Sequence, residues 1–247
     1  MVLAATAWML SAAYVTLHKR HIGITVFYIM ASDRGKWWLD LFAYVIGVIA
    51  LWLLIDDSVI RALESVMMIE RAGSAWNSPQ PLILKSMLTL GAIVYILQLM
   101  INLYRHFSSK LAKNIVLIVC GLILLRITCV IIVHFMGEES FFGYINSIYA
   151  YVGSFINPQE IINMRDMDIG TASLLIVALM LILMMTGMPL GVVTLFVSIL
   201  SALFYFGYGG LYLVSTNAFG LLEKYPLIAV PLFVLMASIL ELSLIHI

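Results

Sequence analysis

Long apolar stretches alternate with short polar ones along the whole chain. Each crossing of a lipid bilayer needs roughly 20 mostly apolar residues, and the backbone polar groups of a crossing must be satisfied within the protein. Continuous apolar runs such as Leu174–Met185 lack the alternation of a membrane β-strand. We therefore predict an all-α integral membrane protein with no soluble domain. It should have about seven transmembrane helices, at residues 2–17, 37–55, 82–103, 114–135, 171–187, 190–206 and 226–243.

The composition agrees with this fold class. Of the 247 residues, 64% are hydrophobic and 11% are charged, whereas a soluble domain carries about 25% charged residues. The formal net charge is zero, so no bulk field recruits nucleic acid. The two cysteines, Cys120 and Cys129, lie in one apolar run and are interpreted as small buried hydrophobic residues.

Basic residues are distributed unevenly among the polar loops. Loops 18–36 and 104–113 carry an excess of lysine and arginine, whereas loops 56–81 and 136–170 are acidic. Loops rich in lysine and arginine remain in the cytoplasm. We therefore predict that loops 18–36 and 104–113 are cytoplasmic and that loops 56–81 and 136–170 lie outside. The N-terminus is also predicted to lie outside.

Arg126 is the most informative single residue, because it lies near the middle of the predicted helix 114–135. A charge inside the membrane is costly and is normally paired or functional. Two interpretations stay open, a structural arginine facing another helix or a headgroup, and a functional group. The predicted segments contain no acid at mid-helix, so Asp40 is the nearest candidate partner.

Other polar residues favour structural interpretations. His18 and His21 flank two basic residues beside the membrane, and interfacial anchoring explains them better than a metal site. Lys85 follows Pro81 by one turn and is expected to extend toward the headgroups. The sequence contains no phosphate-binding loop, nucleophile elbow or zinc-protease helix motif. The chain is therefore predicted not to be an enzyme.

Gly187-Met-Pro-Leu-Gly191 predicts a tight break between two helices. Pro189 lacks an amide hydrogen and disfavours helical conformation at the residue before it. Further along, Leu211–Lys224 is half polar. It fits either an amphipathic helix at the membrane surface or an ordinary loop.

Four stretches form a first group of familiar residues: 12–28, 38–41, 81–85 and 97–98. This group resembles the small membrane subunit of the TRAP (tripartite ATP-independent periplasmic) transporters. In that subunit a helix ends in a basic turn, followed by a His-Val/Ile-Arg-Val-Asp pattern and a further helix. Here Gly23 stands where arginine is usual, and Thr25 where aspartate is usual.

A second, more specific group looks like the start of the large TRAP membrane subunit. It comprises Gly187–Gly191, Ser215–Lys224 and Tyr225–Met236. Pro226 and Pro231 belong to a Pro-Leu-(Leu/Ile)-Ala-(Ile/Val)-Pro-Leu-Phe run, which is a strong signature of the family.

Together the resemblances imply a fusion of the two subunits. Residues 1–108 would be the small subunit without its first helix, and 109–169 a fusion linker with one transmembrane helix and a periplasmic loop. Residues 170–241 would be the N-terminal part of the large subunit. The tail 242–247 reads like a translated sequencing adapter and is expected not to be native.

The resemblance implies a membrane permease component of a sodium-driven transporter, multi-pass in the bacterial inner membrane. It would import an organic anion, of the C4-dicarboxylate or sugar-acid type. The implied partners are a periplasmic solute-binding protein, the lipid bilayer and the remainder of the large subunit, without nucleic acid. No cofactor is expected, and the sodium and substrate sites of the family should lie beyond the C-terminal end, so that this chain is scaffold only. The candidate structural or functional residues are Arg126, Gly187, Pro189, Gly191, Pro226 and Pro231.

Alternative functions remain open. One is a subunit of another permease class, such as a channel or an ATP-driven importer. Another is a non-transporting membrane scaffold or a membrane enzyme. The genes beside the coding sequence would separate these, since a secreted solute-binding protein favours TRAP and an ATPase favours the ATP-driven importer.

Overall fold

The computed structural model describes residues 2–18, 21–73, 77–136 and 164–222, together with 147, 224, 233, 236, 237, 239 and 240. Within this part of the chain all regular structure is helical, which confirms the all-α class. Short 3-10 turns occur at Met164–Asp166 and Gly207–Gly209. The α-helices are α1 (Val2–Leu17), α2 (Val26–Met30), α3 (Asp33–Met67), α4 (Gln80–His106), α5 (Lys110–Met136), α6 (Ile169–Met185), α7 (Leu190–Phe206) and α8 (Gly210–Leu222).

Four helical stretches are long and apolar enough to cross a membrane, among the described residues. They are α3, α4, α5 and the stretch Leu190–Leu222, which joins α7 and α8. At about 1.5 Å per residue, α1 and α6 reach only about 24–26 Å, less than the hydrocarbon core of about 30 Å. The predicted count of seven crossings is therefore not confirmed, and segment 226–243 lies almost entirely outside the described residues.

The sequence predicted a helix at residues 37–55, and the prediction that this helix ends at residue 55 is wrong. Helix α3 begins where the Ser32 hydroxyl accepts a hydrogen bond from the Gly35 amide, and it continues for 35 residues. It passes through the acidic pair Asp56 and Asp57, because Arg61, one turn later, pairs with Asp57. Ion pairs between residues four apart stabilise a helix, so residues 56–67 are helix and not loop.

Helix α3 lies at the centre of the packing. One of its faces packs against α4 and α5, and the others contact α7 and α8. Inside the helical assembly these apolar side chains pack against one another, and this van der Waals packing holds the helices together. The first buried cluster comprises Leu51, Ile55, Val59, Ala92, Ile96, Leu99, Ile123, Ile127 and Val130.

Two polar stretches that the sequence allowed to be loops contain α-helices. The predicted loop 18–36 contains α2, which contacts α3 and α6. Of the two alternatives for 211–224, the loop is wrong for residues up to Leu222, which are helical; the position of this helix at the membrane surface stays a prediction. Helix α8 packs against α3, α4 and α7, which fixes its position within the helical assembly.

Candidate functional site

The break between α6 and α7 contacts the segment between α1 and α2. The Leu190 amide donates a hydrogen bond of 2.9 Å to the Ile22 carbonyl. Leu190 begins α7, and the first amides of a helix have no partner within it. Ile22 therefore satisfies one of these amides, and the contact joins two parts of the chain that are far apart in sequence.

Two glycines allow this close approach. Gly187 has φ +85°, a conformation that L-residues rarely adopt, and a Cβ there would lie 3.0 Å from the Tyr28 Cβ. A Cβ on Gly23 would lie 3.0 Å from the Met188 carbonyl oxygen. The glycine at position 23 thus fits this contact, where the TRAP pattern usually has an arginine.

A cavity of about 170 Å³ lies beside this contact, between α1, α3, α4 and the α6–α7 break. It is lined by Gly187 and Pro189, two of the residues that the sequence singled out. The polar side chains that line it are Thr16, His21, Tyr28, Asp40, Tyr44, Tyr95 and Asn102.

One side of the cavity is held together by His21. Its Nε2 lies 2.7 Å from the Thr16 hydroxyl, and its ring stacks on Tyr95 at a centroid distance of 5.9 Å. The Asn102 amide donates to the Thr16 carbonyl at 3.3 Å. Burial lowers the pKa of His21, so the neutral imidazole is favoured.

The cavity is also lined by the carboxylate of Asp40, the only acidic group among the described lining residues. The Tyr28 hydroxyl donates to Asp40 Oδ2 at 3.3 Å. Burial, together with the nearby Asp40, raises the pKa of Tyr28, so Tyr28 remains a donor. Among the described residues that line the cavity there is no lysine or arginine.

The cavity can therefore hold a small polar or cationic group. Among the described residues, no three histidine, cysteine or acidic side chains are grouped so that they could hold a metal ion.

A second polar cluster surrounds Arg126, which pairs with Asp56 at 3.2 Å. Both side chains are mostly buried, with exposed fractions of 14% and 24%. The prediction of Asp40 as the nearest partner is wrong, since that residue lines the cavity instead. The error arose because α3 continues beyond residue 55, so that Asp56 belongs to a helix that is long and apolar enough to cross a membrane.

The neighbouring carboxylate, Asp57, connects α3 to α8. It accepts a hydrogen bond of 2.7 Å from Arg61 Nε and another from the Ser215 hydroxyl. The Arg61 guanidinium also lies 3.8 Å from the centre of the Tyr212 ring. This cation–π contact and the hydrogen bond from Ser215 hold the polar face of α8 against α3, and the Arg61–Asp57 hydrogen bond within α3 orients both groups.

A third ion pair lies at the end of α3. Lys85 Nζ is 2.5 Å from Glu70 Oε2, and it lies 5.9 Å from the centre of the Phe219 ring. The hydrogen bond from Lys85 lowers the pKa of Glu70. Lys85 was predicted to extend toward the headgroups, but it is bound to a carboxylate.

The remaining predicted residues are distributed as follows. Gly191 lies in the first turn of α7, with open space where a Cβ would be. Pro226 and Pro231 lie outside the described residues. Sequence reasoning missed the roles of Asp56 and Asp57, although the four-residue spacing from Asp57 to Arg61 is a helical signal.

Comparison of the chain with protein-family models, with curated proteins and with solved structures finds no match. The TRAP resemblance therefore stays a prediction from the residues quoted above.

Proposed function

We propose that this chain is the membrane scaffold of a TRAP-type permease, in which a small-subunit part and the first helices of a large-subunit part are fused. The observation that supports it is the contact of the Gly187–Gly191 break with Ile22 and Tyr28. These are the segments that carry the two separate resemblances. A fusion that works as one unit requires such a contact.

The packing of the helices supports the same proposal. Helix α3, from the small-subunit part, packs along α7 through Ile46, Ala50 and Leu54. Helix α5, assigned to the fusion linker, packs against α3 and α4. The linker helix thus stays with the small-subunit part, while α7 and α8 pack against the other faces of α3 and α6 packs against α7 and α2.

In this proposal the chain lies in the bacterial inner membrane and receives a periplasmic solute-binding protein that carries an organic anion. The family's sodium and substrate sites lie in re-entrant hairpins, which the two resemblances do not reach. The chain would therefore support a moving transport unit, not bind the transported anion itself.

The first test uses the secreted solute-binding protein encoded nearest to this gene. The full chain in lipid nanodiscs should bind that protein saturably, and an unrelated solute-binding protein should serve as the negative control. Binding of the ATPase subunit of an importer, with stimulated ATP hydrolysis, would contradict the proposal and support the other permease class.

The second test addresses the scaffold role. The purified chain in sodium-loaded and sodium-free liposomes should insert but give no sodium-dependent uptake of labelled dicarboxylates or sugar acids. Uptake by this chain alone that follows the sodium gradient would refute a purely supporting role.

A further inference from the structure

The cavity beside the α6–α7 break has an unbalanced charge. Among the described residues, Asp40 is the one formally charged side chain in its lining, and the lining residue His21 favours its neutral form. Tyr28 donates to one oxygen of this carboxylate, but a hydroxyl neutralises no charge. The carboxylate therefore favours a cationic ligand over an anionic or neutral one.

The rest of the lining favours an organic cation over a bare metal ion. The rings of Tyr28, Tyr44 and Tyr95 line the cavity together with the imidazole of His21. Aromatic rings attract ammonium and guanidinium groups through their electron-rich faces. Hard inorganic cations instead prefer a shell of several carboxylate and carbonyl oxygens, and Asp40 supplies the one carboxylate among the described lining residues.

The size of the cavity also fits. Its volume of about 170 Å³ is close to the roughly 150 Å³ of an engineered protein cavity that binds benzene. A ligand of about six heavy atoms can therefore be accommodated. A small alkylammonium group has this size, whereas a sugar acid together with its counter-ion is too large for the cavity.

We propose that this cavity binds a small organic ammonium group, with Asp40 as the counter-charge and the tyrosine rings as its walls. The ammonium group is either that of a free amine or that of a lipid headgroup, since the chemistry is the same. The site is independent of the proposed transport function, because the implied cargo is an anion and its site lies elsewhere.

The test is calorimetric titration of the full chain, purified in an uncharged detergent, with ethanolammonium chloride and tetramethylammonium chloride. Sodium chloride at equal ionic strength is the reference. Saturable binding of at least one organic cation is expected. Replacement of Asp40 by asparagine keeps the shape and removes the charge, and should weaken binding at least about tenfold.

The control is Asp33→Asn, which removes a fully exposed carboxylate from the first turn of the same helix. It should bind like the unmodified chain. Should Asp40→Asn fail to fold, Tyr95→Leu supplies the second variant, and the loss of one ring face should weaken binding about threefold. Circular dichroism and size-exclusion profiles verify that each variant is folded.

The two sources are separated in nanodiscs. If phosphatidylethanolamine nanodiscs suppress ethanolammonium binding and phosphatidylglycerol nanodiscs do not, the ligand is the lipid headgroup. If neither suppresses it, the ligand is a free amine. The proposal is overturned if no organic cation binds saturably, if sodium binds equally well, or if folded Asp40→Asn binds as tightly as the unmodified chain.

Discussion

Removing the positive charge from Arg126 should destabilise the protein strongly. The two atoms of the Arg126–Asp56 pair are 3.2 Å apart, so at an effective dielectric constant of about 20 their gross attraction is about 5 kcal/mol. Replacing Arg126 by alanine removes that attraction and leaves the Asp56 carboxylate alone within the membrane. A single uncompensated charge there costs about 2.5–3.5 kcal/mol. We expect the free energy of unfolding to fall by about 3 kcal/mol.

The assay is reversible unfolding in mixed micelles, arranged as a double-mutant cycle. The cycle compares Arg126→Ala, Asp56→Asn and the double variant, which leaves no net charge and should recover most of the loss. Asp33→Asn, which breaks an exposed ion pair with Lys36 on the same helix, is the control and should cause no measurable change. A coupling energy below about 0.5 kcal/mol would show that the pair is not energetically coupled and would refute the reasoning.

Three further predictions concern the segments around the cavity and the end of α3. Gly187→Ala should destabilise the fold by about 1–2 kcal/mol, because Gly187 has a positive φ. Gly191→Ala should be neutral, because the space around a Cβ at that position is open. Chemical unfolding of both variants tests this. Because the hydrogen bond from Lys85 lowers the pKa of Glu70, its stabilisation is present above about pH 4.5 and is lost as the pH falls through the folded-state pKa. Thermal unfolding at pH 3 to 6 should therefore show a steeper decline for the unmodified chain than for Glu70→Gln. Burial lowers the pKa of His21, so the unfolded state binds more protons, and stability should decline as the pH falls below about 6.5. His21→Gln should flatten that decline, and an unchanged pH profile would contradict it.

Helix positions were predictable where the apolar pattern was continuous. The predicted segments 82–103 and 190–206 correspond closely to Gln80–His106 and Leu190–Phe206, because a run of apolar residues in lipid has few alternatives to a helix. The end of α3 was not predictable from hydropathy alone. Its charged residues look like a loop until their partners on other helices are known.

The candidate site could be predicted only in part. Pro189 and Gly187 mark a break through their backbone restrictions, which are local and visible in sequence. The partner of that break, Ile22, is more than 160 residues away, and nothing in its own sequence identifies the contact. The same applies to Ser215 and Asp57, whose hydrogen bond depends on how α8 packs.

The two polar clusters on α3 constrain how this helix lies in a bilayer. Asp40 and Asp56 are sixteen residues apart, which is about 24 Å along a helix, whereas the hydrocarbon core is about 30 Å thick. Trp38, 64% exposed, precedes Asp40 and marks one membrane interface. If Asp40 lies just inside that interface, Asp56 has not reached the other one. Its carboxylate thus remains in the hydrocarbon region, where only a partner such as Arg126 makes a charge tolerable.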